Sequence, residues 1–159
     1  MIKVGDRIPD VGFKTMGPNG PQSVSAHDLF DGKTVALFSL PGAFTPTCSA
    51  RHLPGFVEKA DSLRAKGIDA IACVAVNDPF VMDAWGKHQN VGDKVMMLAD
   101  GSGAWTRAVG MELDLTGAGL GVRGERFAMV VKNGVVSWIG LDQGGAFEKS
   151  SAETLLAAL

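Results

Sequence analysis

The segment Thr34-Val35-Ala36-Leu37-Phe38-Ser39-Leu40 is a nearly continuous apolar run, stopped abruptly by Pro41-Gly42. Its length and β-branched start favour a strand buried on both faces, since a half-exposed strand would alternate apolar and polar residues. A second such run spans Ile68 to Val76, and a third, shorter one spans Val95 to Ala99. Strands buried on both faces need cover on both faces. The pattern therefore constrains the chain to a layered α/β fold.

The intervals between the runs have helical signals. A helix is expected from near Pro46 or Thr47 through Leu63, kinked at Pro54 and stopped at Gly67. Asn77-Asp78-Pro79 opens the next helix, with Asp78 accepting amide hydrogen bonds and Pro79 at the first helical position. That helix runs to about His88, and a short one is expected near Ala104 to Val109. Phe127 to Lys132 and Val135 to Leu141 pair across Asn133-Gly134, a strong hairpin signal. Ser150 to Leu159 closes the chain as a helix, with Ser150 and Glu153 spaced as a capping box. At the front, Gly17-Pro18-Asn19-Gly20-Pro21 turns between two short extended pieces, and Ser25 to Phe30 makes one helical turn. Early crossovers and a late hairpin give an α/β, thioredoxin-like layout: a mixed central sheet, helices on both faces and an N-terminal β extension. Ligands of such sheets bind beyond the carboxyl ends of the strands, and the Leu40 to Cys48 segment leaves one such end.

A length of 159 residues fits a single domain over 1–159. The net charge is −2 and no Lys/Arg run stands out, which argues against a nucleic-acid footprint or a polybasic membrane surface. Met1 to Arg7 lacks the apolar core of a signal peptide, and no apolar stretch is long enough to span a bilayer. A soluble, cytoplasmic protein is expected. Two cysteines are too few for a disulfide scaffold.

Those two cysteines differ in setting. Cys48 falls in the first turn of the expected helix, where unpaired backbone N–H groups and the macrodipole favour a thiolate. Arg126 and Arg123 are candidate cations. Arg126 ranks higher, because the apolar strand that follows it fixes its position. Thr45, three residues before Cys48, offers a hydroxyl that can hold an oxygen of a bound substrate or accept its proton. Pro41 and Pro46 stiffen the loop and keep bulk water from the sulfur. The bland alternative for Cys48 is a buried structural thiol. His52, four residues on, can share a helix face with it. A metal pair is one reading of the two, although two ligands do not make a site. A Cys/His nucleophilic pair is another, and a packing or supporting role for His52 is the preferred one. Cys73 sits inside the run Ile71-Ala72-Cys73-Val74-Ala75-Val76 and reads as an inert core thiol. Arg51 and Asp78 read as surface or capping residues. Gly117-Ala118-Gly119-Leu120-Gly121 reads as a turn, since it lacks the G-x-x-x-x-G-K pattern of a nucleotide loop.

Pro-x-x-x-Thr-x-x-Cys, here Pro41, Thr45 and Cys48, resembles the active-site signature of the peroxiredoxins. The fuller string Pro41 to Phe56 resembles the peroxiredoxin-5 (type II) subfamily, as do Val76 to Met82, Gly119-Leu120-Gly121-x-Arg123 and Arg126 to Val130. The resemblance implies a thiol-dependent peroxidase acting on hydrogen peroxide and alkyl hydroperoxides, with no metal or organic cofactor. By the same resemblance Cys48 is the peroxidatic cysteine, Thr45 orients the peroxide and Arg126 stabilises thiolate and departing oxygen. Pro41 shields the pocket, and the backbone N–H groups of Thr47 and Cys48 hold the oxygens. It also implies a homodimer, with the Asn77 to Phe80 turn and the Phe44 loop as contact points. Some animal members carry a resolving cysteine near the C-terminus, and Ala146 to Ser151 contains none. Glutathione, glutaredoxin or thioredoxin is then the expected reductant. Cys73 is the alternative resolving cysteine, at the cost of moving a core strand. A holdase role is the competing function. A thiol-disulfide oxidoreductase lacks its Cys-x-x-Cys motif.

Overall fold

In the computed structural model, which describes residues 1–159, the apolar run becomes β3 (Thr34–Ser39). Parallel to β3 lies β4 (Ala70–Ala75), and parallel to β4 lies β5 (Met96–Ala99). On its other side β3 pairs antiparallel with β8 (Arg126–Lys132), and β8 with β9 (Val135–Asp142). Asn133 and Gly134 both take positive φ, 47° and 81°, as the tight turn between β8 and β9 requires. The N-terminal extension is the hairpin of β1 (Phe13–Gly17) and β2 (Gly20–Val24). It joins the sheet edge at β5, so one seven-stranded sheet runs β2-β1-β5-β4-β3-β8-β9.

Period-two alternation sends successive side chains to opposite faces. Ala36 and Phe38 of β3, Ile71 and Cys73 of β4, and Ala128 and Val130 of β8 share one core. That core is covered by α2 (Leu53–Ala65), α3 (Pro79–His88) and α5 (Ala152–Ala157). Val35, Leu37, Ala72, Val74, Phe127 and Met129 face the other core, covered by α1 (Ala26–Phe30) and α4 (Ala104–Ala108). Asp78 caps α3 by accepting the Val81 N–H at 2.8 Å, and Ser25 with Asp28 forms a capping box on α1.

Three features differ from the sequence reading. The helix that begins at Pro46 does not run as a plain α-helix kinked at Pro54. It passes through a π-turn at Cys48–His52, in which the Leu53 N–H reaches back to the Cys48 carbonyl, and α2 follows. Pro54 has no N–H to give the ladder, and the wider turn falls directly before it. The C-terminal helix is capped by Ser151, whose hydroxyl accepts the Thr154 N–H at 3.2 Å, and not by Ser150. Ser150 is drawn away because its own N–H and hydroxyl both donate to Asp142. Finally, the stretch read only as a turn joins a separate two-stranded ribbon of β6 (Glu112–Leu115) and β7 (Gly121–Gly124). Their four-residue length and lone Leu113, Leu115 and Val122 left too little periodicity to see.

Candidate active site

The loop leaving β3 is braced at several points. The Ala43 N–H donates to Asn77 Oδ1 at 2.9 Å. Arg123, on β7, donates through Nη1 to the Pro41 carbonyl at 3.2 Å and through Nε to the Leu120 carbonyl at 2.8 Å. Gly42 makes room for that guanidinium, since a Cβ there would stand 2.5 Å from Arg123 Nη1. Phe44 takes a left-handed φ of 63°, a conformation that costs a non-glycine residue about 1–2 kcal/mol. The loop is thus held in a shape that it would not adopt by itself.

Pro46 opens the helix, so Cys48 lies in its first turn. The N–H groups of Thr47 and Cys48 have no hydrogen-bond partner in the chain, as expected of the orphan donors at a helix start. Thr45 donates its hydroxyl proton to the Gly42 carbonyl at 2.7 Å, which leaves the Thr45 oxygen as an acceptor. Cys48 is fully buried. Arg126 begins β8, and alternation puts it on the same face as Ala128 and Val130, which is the Cys48 face. Its Nη2 lies 3.2 Å from the Cys48 sulfur. A cavity of about 320 Å³ lies beside Arg126, walled also by Pro41, Thr47, Glu125, Leu113 and Leu115, while Cys48 and Thr45 are not in its wall. Burial raises the pKa of the Glu125 carboxyl in that wall.

His52 departs from two of its sequence readings. Its Nδ1 lies 2.9 Å from Arg126 Nη1 and its Nε2 3.0 Å from the Ser150 carbonyl. Both ring nitrogens are engaged, so neither is free to ligate a metal or to serve Cys48 as a base. The ring is fully buried, which together with the charge on Arg126 lowers its pKa to about 3. Arg51 is exposed, and its guanidinium lies 4.6 Å from the centre of the Phe147 ring. Cys73 is fully buried in the sheet's centre, opposite Phe38, and burial pushes its thiol well above the usual range. Both cysteines are free thiols.

Asp142 was not singled out from the sequence, and Ser150 only as a helix cap. Asp142 accepts the N–H groups of Glu148, Lys149 and Ser150 and the Ser150 hydroxyl, at 2.6 to 3.1 Å. Burial acts to raise its pKa, but these hydrogen bonds together outweigh it and hold the carboxyl below its usual value. The one available signal was its place at the end of β9, in register with Arg126.

A buried thiol at a helix start, with a guanidinium at its sulfur and free amides beside it, on a thioredoxin-like sheet, defines a class: the thiol peroxidases. The Redoxin family profile matches residues 3–156. Peroxiredoxin-2D of Arabidopsis thaliana is 50% identical over 159 residues, spanning 99% of this chain and 98% of that protein. The reduced Prx3 of Vibrio vulnificus in complex with hydrogen peroxide superimposes with a TM-score of 0.95 at 47% identity, covering 99% of both chains. Peroxiredoxin 5 of Alvinella pompejana gives 0.88 at 37% identity, covering 99% of this chain and 97% of that one. The chain belongs to the peroxiredoxin family, of the peroxiredoxin-5 type, and is a thiol-dependent peroxidase.

Proposed function

We propose that Cys48 is the peroxidatic thiol of this enzyme and that Thr45, Arg126, Pro41 and the Thr47 and Cys48 amides serve it directly. The observation that carries the reading is the 3.2 Å contact between Arg126 Nη2 and the Cys48 sulfur. The Cys48 thiolate attacks the terminal oxygen of a hydroperoxide. A sulfur–oxygen bond forms as the oxygen–oxygen bond breaks. Sulfur is oxidised to the sulfenic acid, and the departing oxygen takes up a proton to leave as water or an alcohol. The Thr45 oxygen accepts from the attacked O–H, because its own proton is committed to Gly42. The guanidinium and the two amides face the charge as it moves from sulfur to the leaving oxygen. Pro41, in the cavity wall, limits water.

Stopped-flow tryptophan fluorescence tests the reading, since Trp85 donates to the Ser49 hydroxyl one residue from Cys48. Peroxide is expected to change the signal in the parent and not in Cys48→Ser. Undiminished peroxide turnover by Cys48→Ser overturns the assignment.

The second half-reaction uses an external thiol: glutathione, glutaredoxin or thioredoxin. One thiol displaces water from the sulfenic acid to give a mixed disulfide, and a second releases Cys48 with formation of the reductant's disulfide. Cys73 is unsuited to resolve Cys48, because β4 is hydrogen-bonded on both sides and its thiol is held neutral. Intact mass spectrometry after one equivalent of peroxide and glutathione should find Cys48 glutathionylated. A loss of two hydrogens with Cys48 linked to Cys73 overturns this assignment. A homodimer is part of the same reading. Phe44 and Phe80, 52% and 64% exposed, supply apolar surface for it, and sedimentation of a monomer alone at micromolar concentration counts against it.

A further inference from the structure

The cavity beside Arg126 is larger than hydrogen peroxide needs. It holds about 320 Å³, whereas a water molecule takes about 30 Å³ of the liquid and hydrogen peroxide less than about twice that. Arg126 and Thr47, two of the residues that serve the peroxide oxygens, stand in its wall. A hydroperoxide seated on them has this space for its carbon tail. Much of the wall is apolar or small. Leu113 and Leu115 alternate inward along β6, while Glu112 and Asp114 are exposed. Gly144, Gly145 and Ala146 add wall without bulk. Glu125 is the exception. Its backbone is fixed, with the N–H donating to the Met111 carbonyl at 2.8 Å and the carbonyl accepting from Ser39 Oγ at 3.0 Å. Its residue is half-buried in the wall.

Three charged side chains border the cavity, and two are already matched. Arg126 faces the Cys48 sulfur, and Asp142 accepts four hydrogen bonds from Glu148, Lys149 and Ser150. Glu125 forms no ion pair. The side chain it meets is the Gln143 amide, which carries no charge, and burial raises its pKa. A half-buried carboxylate without a cation is costly, and such groups concentrate at functional sites. A second negative charge entering the cavity would meet it across a partly dehydrated space, where repulsion is stronger than in water. An uncharged tail meets no such repulsion. We infer that Glu125 selects the hydroperoxide by charge: the cavity admits uncharged alkyl or aryl tails and disfavours tails that carry a carboxylate. The inference rests on Cys48 as the reacting thiol and adds a specificity residue to that reading.

A matched pair of substrates tests it: cumene hydroperoxide and its para-carboxylate. Both present the same tertiary hydroperoxide, so the ratio of their second-order rates cancels any effect on the thiol that is common to both. By stopped flow at about pH 8, where both carboxyl groups are ionised, the parent is expected to prefer the uncharged substrate about 5- to 20-fold, the scale of one like-charge approach in such a cavity. Glu125→Gln should bring the ratio close to unity, and Glu125→Lys should invert it, because attraction then replaces repulsion. Glu112 is exposed and outside the cavity wall. Glu112→Gln removes the same charge from the protein and should keep the parent's ratio. A parent without preference overturns the inference, and so does Glu125→Gln with the parent's ratio unchanged. Glu112→Gln lowering the ratio as far as Glu125→Gln also overturns it, since net charge would then set the preference. Circular dichroism verifies each fold, and the near-isosteric Glu125→Gln decides should Glu125→Lys not fold. Failure of the Cys48 assignment is recognised separately, by both hydroperoxides still being consumed in Cys48→Ser. Failure of the charge selection leaves both rates dependent on Cys48 and only the ratio unmoved.

Discussion

Cys48 and Cys73 lie in the same apolar cluster, both fully buried, and yet their polar surroundings differ. Cys73 sits mid-strand in β4, between β3 and β5, within the apolar core. Nothing there favours a negative charge, and burial drives its thiol up. Cys48 sits at a helix start with two unpaired amides and a guanidinium at 3.2 Å. Burial alone therefore makes an inert thiol. A reactive one needs burial together with charges and dipoles already in place.

The largest effect is expected at the sulfur itself. Cys48→Ser should abolish peroxide turnover, a loss of at least about 10³-fold in a coupled assay, because a hydroxyl is far harder to ionise and cannot form a sulfenic acid. Arg126→Gln keeps a donor but removes the charge, making the Cys48 site more like that of Cys73. A loss of about 10²–10³-fold is expected in the second-order rate by stopped flow, the cost of removing one electrostatic stabiliser. A change below fivefold would show that the amides suffice.

Acid separates the two regions through stability. His52 has a pKa near 3 when folded and about 6.5 when free. Its folded value is depressed, so the unfolded chain binds the extra proton, and stability falls as pH drops from about 6.5 towards 3. Between pH 7 and about pH 4.5 this amounts to about 3 kcal/mol in urea unfolding. The surroundings of Cys73 contribute nothing to it, since that thiol is already neutral. His52→Asn should flatten the slope.

Arg123→Ala removes the brace on the Pro41 carbonyl. The expected loss is about tenfold in peroxide rate, the scale of one charged hydrogen bond, with the Cys48 alkylation profile unchanged. Cys73→Ala is the smallest change. Peroxide turnover should stay within about twofold, while urea unfolding registers a loss of about 1 kcal/mol from the small cavity. A collapse of turnover here would reinstate Cys73 as a participant in the cycle.

The arginine pair shows where sequence reading works and where it stops. Arg126 was legible because it immediately precedes the apolar strand Phe127 to Val131, which fixes its position; the structure adds that alternation puts it with Ala128 and Val130 on the Cys48 face. Arg123 sits on a four-residue strand with no detectable period, so its grip on Pro41 could not be read. His52 was legible as a neighbour of Cys48, but two of its proposed roles fail because both nitrogens are taken by Arg126 and Ser150, 74 and 98 residues away. The Ser150 capping box had the right spacing. It lost to Asp142, whose carboxylate offers that hydroxyl a stronger, charged acceptor.

The sequence by itself determined the buried strands and the helix start that holds Cys48, which follow from periodicity and from chemistry that acts within a few residues. The set of Pro41, Thr45, Cys48 and Arg126 came from the resemblance to the peroxiredoxin signature. Only the tertiary structure decided that the π-turn, the end of β9 and the segment before α5 converge on Arg126 through His52. A hydrogen bond is made or lost within about half an ångström, and positions so far apart in the chain reach that tolerance only through the packing of the whole core.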